Sequence, residues 1–443
     1  MKRILTTARN GTNAVFGRRP RCSTSESKSR ERQRLVILGS GWGGYSLMKN
    51  IDQRKFSVVV VSPRNHFLFT PLLASTTVGT LEFRSIIEPV RYGRKFRDER
   101  DFHLAEAERL DLEEKTVWCR SMLDESNRYA IRYDKLVIAV GALSNTFGVP
   151  GVREHAFFLK ELVDAKAIRN RIISNFELAV QPGVTPCRVK QLLHFVIVGG
   201  GPTGVEFGAE LYDFISQDMS RLFPMEVNDV RVSLIEASQI LSGFDEKLRK
   251  FAEKKIQQRE KMELVKGTVS EVHRDTIILQ DRSEIPCGLV VWAAGLAPRS
   301  FVLSLGVPKN KQQQLLVDQS LRLKADPMGS VFALGDCSCV EENPMPPTAQ
   351  VAERQGRYLA KSLSQYSDAT HSPPMHFKSV GMLAYVGDYQ AVAELPQFKF
   401  GGFHSWLLWR SAYLTRLGNW RLRLQVPIDW FKTFFYGRDV SQF

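Results

Sequence analysis

The sequence predicts an α/β fold: two parallel-sheet, Rossmann-like dinucleotide-binding domains, the second inserted into the first, followed by an amphipathic helical segment at the C-terminus. Three observations carry this expectation. Two buried-type strands about 160 residues apart each run into a glycine-rich turn and a helical stretch. A short apolar strand late in the chain ends in Gly335-Asp336. The last 43 residues hold four of the seven tryptophans.

The first cradle begins with Arg34-Leu35-Val36-Ile37-Leu38, an uninterrupted apolar run of strand length. It leads into Gly39-Ser40-Gly41-Trp42-Gly43-Gly44 and a helical stretch from Tyr45 to Asn50. In a G-x-G-x-x-G turn of this kind, Gly39 permits the tight turn and Gly41 lets a pyrophosphate approach the backbone. Gly44 allows the helix close to the strand, and the free N–H groups and positive dipole end of the helix then face the phosphates. The next strand, Phe56 to Val61, ends in Ser62-Pro63-Arg64-Asn65, where an NAD site would place a ribose-binding acid. FAD is the better fit there.

The pattern recurs in His194-Phe195-Val196-Ile197-Val198, followed by Gly199-Gly200-Gly201-Pro202-Thr203-Gly204 and a helical run through Val205, Glu206, Phe207 and Leu211. The following strand, Val230 to Ile235, ends in Glu236. A carboxylate at that position accepts from ribose hydroxyls and repels a 2′-phosphate, which favours NADH over NADPH. The connection from Asp213 to Asp229 is long for a plain unit, so the register of Glu236 is an inference. Two dinucleotides on one chain imply hydride transfer from nicotinamide to flavin.

Two further segments fit a flavin domain. Tyr133 to Val140 is strand-like and ends in Gly141-Ala142; Val331-Phe332-Ala333-Leu334 ends in Gly335-Asp336, where Asp336 suits the flavin's ribityl chain. The expected order is therefore a basic leader over 1–33, flavin domain over 34–154, inserted NADH domain over 155–300, flavin domain again over 301–385, and a C-terminal segment over 386–443.

Charge and composition narrow the functions. With 43% hydrophobic and 24% charged residues the chain is an ordinary globular protein, and it has no apolar stretch near the roughly 20 residues that span a bilayer. The net charge of +14 sits at the ends: residues 1–34 carry +8, residues 401–443 carry +4, and the 366 between them +2. A nearly neutral body argues against nucleic-acid binding. The acid-poor leader with Lys2, Arg3, Arg9, Arg18, Arg19 and Arg21 fits a mitochondrial or plastid transit peptide, the alternative being a disordered basic tail. In the tail, Phe403, Trp406, Leu407, Leu414 and Leu417 recur at helical spacing, interrupted by Arg410, and Ile428, Phe431 and Phe435 repeat the pattern after Pro427. Such a stripe serves a helix in the bilayer interface or one packed on protein equally well. The six cysteines form no C-x-x-C pair, Cys337 and Cys339 are poorly spaced for a metal knuckle, and no metal site is expected.

In combination these segments resemble the two-dinucleotide-binding-domain (glutathione-reductase-like) flavoproteins, and within them the type II, alternative, rotenone-insensitive, non-proton-pumping NADH:ubiquinone oxidoreductases. The likeness rests on Gly39–Gly44, Ser62–Leu73, Gly199–Glu206, Ala333–Asp336, Thr348-Ala349-Gln350-Val351-Ala352, the tail Ser405–Leu414 and Gly437-Arg438-Asp439, and spans residue 34 to the C-terminus. It implies tightly bound FAD held by Gly39, Gly41, Trp42, Gly43, Gly44, Ser62, Arg64, Thr70, Gly141 and Asp336. NADH would be held by Gly199, Gly201, Thr203, Gly204, Glu206, Glu236 and Gly295, with Glu206 at the nicotinamide–flavin junction. Ubiquinone would meet Gln350, Ala352, Arg354 and Tyr385, of which Glu206, Gln350 and Arg354 are the candidate catalytic residues. Arg354 departs from the family's usual glutamine; it either donates to a quinone carbonyl or pairs with Glu353 and faces away. The resemblance also implies a monotopic homodimer on the mitochondrial inner membrane, with the matrix side expected. No EF-hand-like D-x-D-x-D-G loop interrupts the sequence, so the calcium-regulated subset of the family is not indicated. The rival readings are a sulfide:quinone or disulfide-type oxidoreductase, which needs well-placed redox cysteines, and a redox-sensing or scaffolding flavoprotein, which needs no quinone site.

Overall fold

The computed structural model describes residues 32–93, 96, 98–326, 328–366 and 372–442. The leader reading, with Cys22, lies outside the described residues. Residues 33–443 form one compact unit.

The chain starts with β1 (Gln33–Leu38), turns into α1 (Trp42–Asn50) and returns in β2 (Phe56–Ser62) parallel to β1, Leu35 opposite Val58 and Leu38 opposite Val61. Strands β3 (Phe102–Asp111), β4 (Thr116–Ser121) and β5 (Arg128–Arg132) form an antiparallel meander at one edge, and β6 (Lys135–Ile138) adds parallel to the other side of β1. Leu35 through Leu38 are sealed from solvent, as expected of a strand covered on both faces. Strand β7 (Phe157–Phe158) and the long helix α2 (Leu162–Ala179) then lead into the second sheet. There β8 (His194–Val198) is followed by α3 (Pro202–Phe214), β9 (Arg231–Glu236), β10 (Met262–Lys266) and β11 (Leu289–Trp292). Finally β12 (Val331–Ala333) returns to pair with β6.

The two sheets have the orders β12-β6-β1-β2-β3-β4-β5 and β7-β11-β8-β9-β10. In each, the first strand of the glycine unit lies between parallel neighbours reached in opposite directions. The crevice outside the carboxyl ends of β1 and of β8 is therefore a topological switch point, where ligands of such sheets bind. A two-stranded ribbon, Ala142–Ser144 against Leu296–Pro298, ties the chain just after β6 to the chain just after β11. The long connection after α3 proves to be helical in part: α3 runs on through a π-turn at Ile215–Met219. Its length does not disturb register, because Val198 pairs with Ile235 and Glu236 follows directly.

Helix α4 (Ala349–Gln365) packs across α1, and a Cβ on Gly356 would lie 2.3 Å from the Gly43 carbonyl oxygen. The C-terminal part is a meander, β13 (Met382–Gly387), β14 (Gln390–Glu394) and β15 (Lys399–Gly402), followed by α5 (Phe403–Arg416) and α6 (Trp420–Tyr436). Two expectations for this tail need correction. The stripe assigned to one face is split: Trp406 and Leu417 are buried, whereas Phe403 and Leu407 are exposed. Nor does the second helical pattern begin at Pro427, because α6 runs through that proline. The missing amide costs one helical hydrogen bond. Burial of Leu422 and Val426, and the bond from Glu82 N–H to Asp429 (3.1 Å), hold the helix on either side of it.

The end of the tail is clasped to the body. Arg438, buried, donates to Asp218 (2.7 Å), Gln217 (2.9 Å) and Thr80 (2.9 Å), and Arg169 pairs with Asp439 at 2.9 Å. Asp218 is itself only 5% exposed, so removing the Arg438 side chain leaves a buried carboxylate with only the more distant Arg221 (3.5 Å) to balance its charge. Arg438→Met is expected to cost about 3–5 kcal/mol in denaturant unfolding and to open the tail to protease; unchanged stability would show that the clasp holds nothing.

Candidate active site

At the first switch point the helix α1 starts on Gly41 with no capping side chain and no acid in its first turn, so its leading N–H groups are open to an anion. A Cβ on Gly44 would stand 2.0 Å from the Gly39 carbonyl oxygen, and one on Gly43 2.1 Å from Leu334 Cδ1. At Gly41 the nearest atom is Arg64 Nη2, 3.8 Å away. The glycines thus do two jobs: Gly43 and Gly44 let elements touch, and Gly41 leaves a space. Ser62 holds the loop through its 2.8 Å bond to Ser40, and its Oγ accepts from Arg64 N–H. The Arg64 guanidinium pairs with Glu161, which Arg299 also approaches at 4.0 Å. Trp42 Nε1 donates to Thr70 Oγ1 at 2.9 Å, and its ring packs on Phe67 and Phe69. Gly141 is open on its free side, and Asp336, half-buried, faces Lys160 Nζ at 3.8 Å. Gly335 N–H donates to Gln355, which fixes the turn before Asp336. Glu161, Lys160 and Gln355 were invisible to sequence reasoning, because only the folded sheet brings them to this cradle. The residues present fit a flavin dinucleotide.

The second cradle repeats the first. A Cβ on Gly204 would lie 1.9 Å from the Gly199 oxygen, Gly201 has nothing within 4 Å, and α3 begins with no side-chain cap and no acid in its first turn. Thr203 is exposed in that first turn. Glu236 reaches the glycine loop, one oxygen accepting from Gly200 N–H at 2.7 Å and the other from Ser238 N–H and Oγ. Gly295 adopts φ +63° and packs against Phe147, where a Cβ would fall 2.4 Å from the ring. These residues fit a second dinucleotide.

The remaining candidates are brought together only in part. Gln350 lies at the start of α4 and its oxygen accepts from Val380 N–H at 3.3 Å, which leaves its NH₂ group as a donor. Ala352 is buried, with its carbonyl 3.2 Å from the Gly43 Cβ position. Arg354 does not pair with Glu353, which is engaged by Arg357; it bonds the Lys378 carbonyl and stacks over Phe377. Tyr385 lies within β13 and is buried. Its N–H donates to Glu206 at 3.1 Å and its hydroxyl to Asp213 at 2.6 Å.

Glu206 is therefore buried against β13 and α5. The same carboxylate oxygen accepts from Trp409 Nε1 of α5 at 3.2 Å. Burial pushes its pKa up to about 8 despite these two bonds, with Glu210 adding to the rise. Glu210 accepts from Ser75 and Thr80, both at 2.7 Å, and Asp213 is raised by burial to about 6. Glu206, Glu210 and Asp213 recur at intervals of four and three along an otherwise apolar helix, so they share one face. That spacing was readable in the sequence; only Glu206 was picked out.

The three buried cysteines among the described residues, Cys119, Cys287 and Cys337, are poorly suited to disulfide chemistry. Cys337 is buried and donates to the Leu334 carbonyl, and burial pushes its thiol up to about 11; Cys119 and Cys287 are pushed up to about 12 by the same cause. Such thiols stay protonated and unreactive.

Residues 33–356 match the family described as pyridine nucleotide-disulphide oxidoreductase, and residues 380–439 match the NDH2 C-terminal domain. The chain belongs to the pyridine nucleotide-disulphide oxidoreductase family, in its type II NAD(P)H-ubiquinone oxidoreductase branch. It is 45% identical to a probable NADH dehydrogenase of Dictyostelium discoideum, over 93% of this chain and 92% of that one. It is 42% identical to the mitochondrial internal alternative NAD(P)H-ubiquinone oxidoreductase A1 of Arabidopsis thaliana, over 94% and 87%. Among solved structures, NDH2 from Plasmodium falciparum in complex with NADH superposes with a TM-score of 0.88 at 28% identity, covering 93% of this chain and all of that one.

A pH signature follows from Glu206. Its folded pKa is raised, so the folded chain keeps a proton that the unfolded chain loses, and stability falls as pH climbs from the ordinary glutamate range to about 8. Glu206→Gln keeps an acceptor for Tyr385 and Trp409. It is expected to raise the unfolding free energy at and above about pH 8 by on the order of a few kcal/mol, seen as a higher melting temperature, and to change little near about pH 4. An equal effect at both pH values would mean that Glu206 is not buried as a neutral acid.

Proposed function

We propose that this chain oxidises NADH and reduces ubiquinone through bound FAD, without pumping protons, on the mitochondrial inner membrane. The observation that carries the reading is the pair of uncapped helix N-termini, α1 and α3, each at the switch point of its own sheet within one compact unit. The flavin supplies reversible two-electron chemistry when bound. The chain's own residues supply the rest. The α1 turn, Arg64 and Asp336 orient the first nucleotide; the α3 turn and Glu236 orient the second and select a free ribose 2′-hydroxyl. Gln350 offers an amide donor to a quinone carbonyl, and Arg354, turned to Lys378 and Phe377, shapes the wall of that approach. Protonated cysteines and the identity to NAD(P)H-ubiquinone oxidoreductases weigh against a sulfide-oxidising reading.

Among the described residues, no helix is long and apolar enough to cross a membrane. Ile428, Phe431, Phe434 and Phe435 of α6 are each more than half exposed on one side, with Arg421, Arg423 and Lys432 nearby. An aromatic face rimmed by cations suits a helix lying in the bilayer interface. A homodimer and attachment on the matrix side complete the proposal, the latter supported by higher identity to internal (42%) than to external relatives (38% and 35%).

Anaerobic mixing of the purified protein with NADH should bleach its flavin absorbance, and a soluble ubiquinone analogue should restore it; bleaching without quinone-driven recovery would remove the quinone from the account. Glu236→Gln is expected to narrow the preference for NADH over NADPH by on the order of tenfold in kcat/KM, and an unmoved ratio would take Glu236 out of the ribose site. Replacing Phe431, Phe434 and Phe435 together by serine should abolish co-sedimentation with anionic vesicles at an unchanged melting temperature. Continued vesicle binding, with dissociation of a dimer, would assign that face to a second copy of the chain.

A further inference from the structure

We infer that Phe147 binds the nicotinamide half of NADH: a strained turn holds its ring out of the protein, and the ring closes over that half of the dinucleotide beyond the carboxyl end of β11. This role rests on the proposed NADH site and adds to it a residue from the segment that leaves β6 of the flavin domain.

Residues Thr146–Val149 form a turn closed by Val149 N–H, which donates to the Thr146 carbonyl at 3.0 Å, with φ +52° at Phe147 and +73° at Gly148. A turn with positive φ at both central residues favours Asn, Asp or Gly at the first of them. A phenylalanine there crowds its Cβ against the backbone. Asn145 enforces the conformation: its side-chain oxygen accepts from Phe147 N–H at 2.8 Å, and its carbonyl accepts from Trp292 Nε1 at 2.8 Å. Burial does not offset the strain, because Phe147 is 62% exposed. Other apolar side chains at positive φ are held by packing: Leu241 and Leu321 are buried, and Tyr389 meets Trp406 edge-on at 5.3 Å. A single exposed aromatic residue is ordinary, but one that also carries backbone strain is not. A ligand that the ring meets explains both features together.

The position of the ring decides which part of the ligand it meets. Strand β11 runs parallel to β8, with Trp292 opposite Val198. Just beyond it, Ala293 lies against the first glycine of the second cradle: a Cβ on Gly199 would stand 3.0 Å from the Ala293 carbonyl. Two residues further, Gly295 carries the Phe147 ring on the space a side chain would need. Glu236 lies on the opposite side of β8, at the end of β9. A dinucleotide with its adenosine ribose at Glu236 and its pyrophosphate at the start of α3 must extend its other half over β11. That direction leads toward the ribbon between Ala142–Ser144 and Leu296–Pro298, which joins the two domains, and so toward the flavin cradle. There the ring offers an apolar cover for the nicotinamide, and its negative face attracts the positive charge of the oxidised form.

The test is calorimetric titration of the flavin-loaded protein with NAD⁺ and, separately, with ADP-ribose, which keeps both riboses and the pyrophosphate but lacks the nicotinamide. The parent chain is compared with Phe147→Gly and Phe147→Tyr. Glycine adopts φ +52° without strain, so Phe147→Gly should retain its flavin and melt no lower than the parent. Its affinity for NAD⁺ should fall by on the order of tenfold and its KM for NADH rise by a similar factor, while its affinity for ADP-ribose stays that of the parent. Phe147→Tyr, which keeps the ring, should bind NAD⁺ as the parent does. Equal weakening of NAD⁺ and ADP-ribose would overturn the assignment to the nicotinamide half, and unchanged NAD⁺ affinity in Phe147→Gly would overturn any contact with the ligand. A parent protein that binds neither compound and is not bleached by NADH would overturn the NADH site itself, and this role with it.

Discussion

The fold depends on a contact that only glycine permits. In both units the first helical turn lies so close to the preceding strand end that a single methyl group on Gly44 or Gly204 would collide with the carbonyl of Gly39 or Gly199, at 2.0 and 1.9 Å. This close approach sets the helix N-terminus directly over the strand's carboxyl end, where the sheet order reverses. Open N–H groups, a positive dipole end and a vacant Cβ position at the second glycine then follow without any dedicated binding side chain. Arg64, Asp336 and Glu236 add selectivity to a place the backbone has already made.

Helix α3 joins this nucleotide chemistry to the rest of the molecule. Its first turn is the second cradle, its acidic face receives β13, α5 and the segment from Ser75 to Thr80, and its π-turned end receives Arg438. The C-terminal segment is therefore part of the body's packing: Trp409 and Tyr385 satisfy a carboxylate that would otherwise be buried without partners. The outer aromatic face of α6 stays exposed, as do Phe403 and Leu407 of α5.

Much of this was legible before folding was considered. Strands β1, β2, β6, β8 and β9 announce themselves as apolar runs, the cradles as glycine spacing, and the return of the chain to the first sheet as the apolar run before Gly335-Asp336. All are local signals. The antiparallel meander β3–β5 and strands β10 and β11 were not read. The partners of Glu206 were not legible, since they come from about 180 and 200 residues further along and meet it only after the meander folds back. The Lys378 carbonyl that Arg354 bonds was not legible either, since it belongs to the loop before β13. The tail stripe read as one face because helical spacing alone does not say which side meets the protein; at Pro427, packing on either side outweighs a single missing hydrogen bond.

Native mass spectrometry of the purified protein, with and without added NAD⁺, addresses the central claim most directly when run on Gly44→Ala and Gly204→Ala beside the parent chain. The account predicts one FAD and one further dinucleotide per parent chain, the FAD alone lost from Gly44→Ala and the second nucleotide alone lost from Gly204→Ala. Retention of both nucleotides by either variant would contradict it.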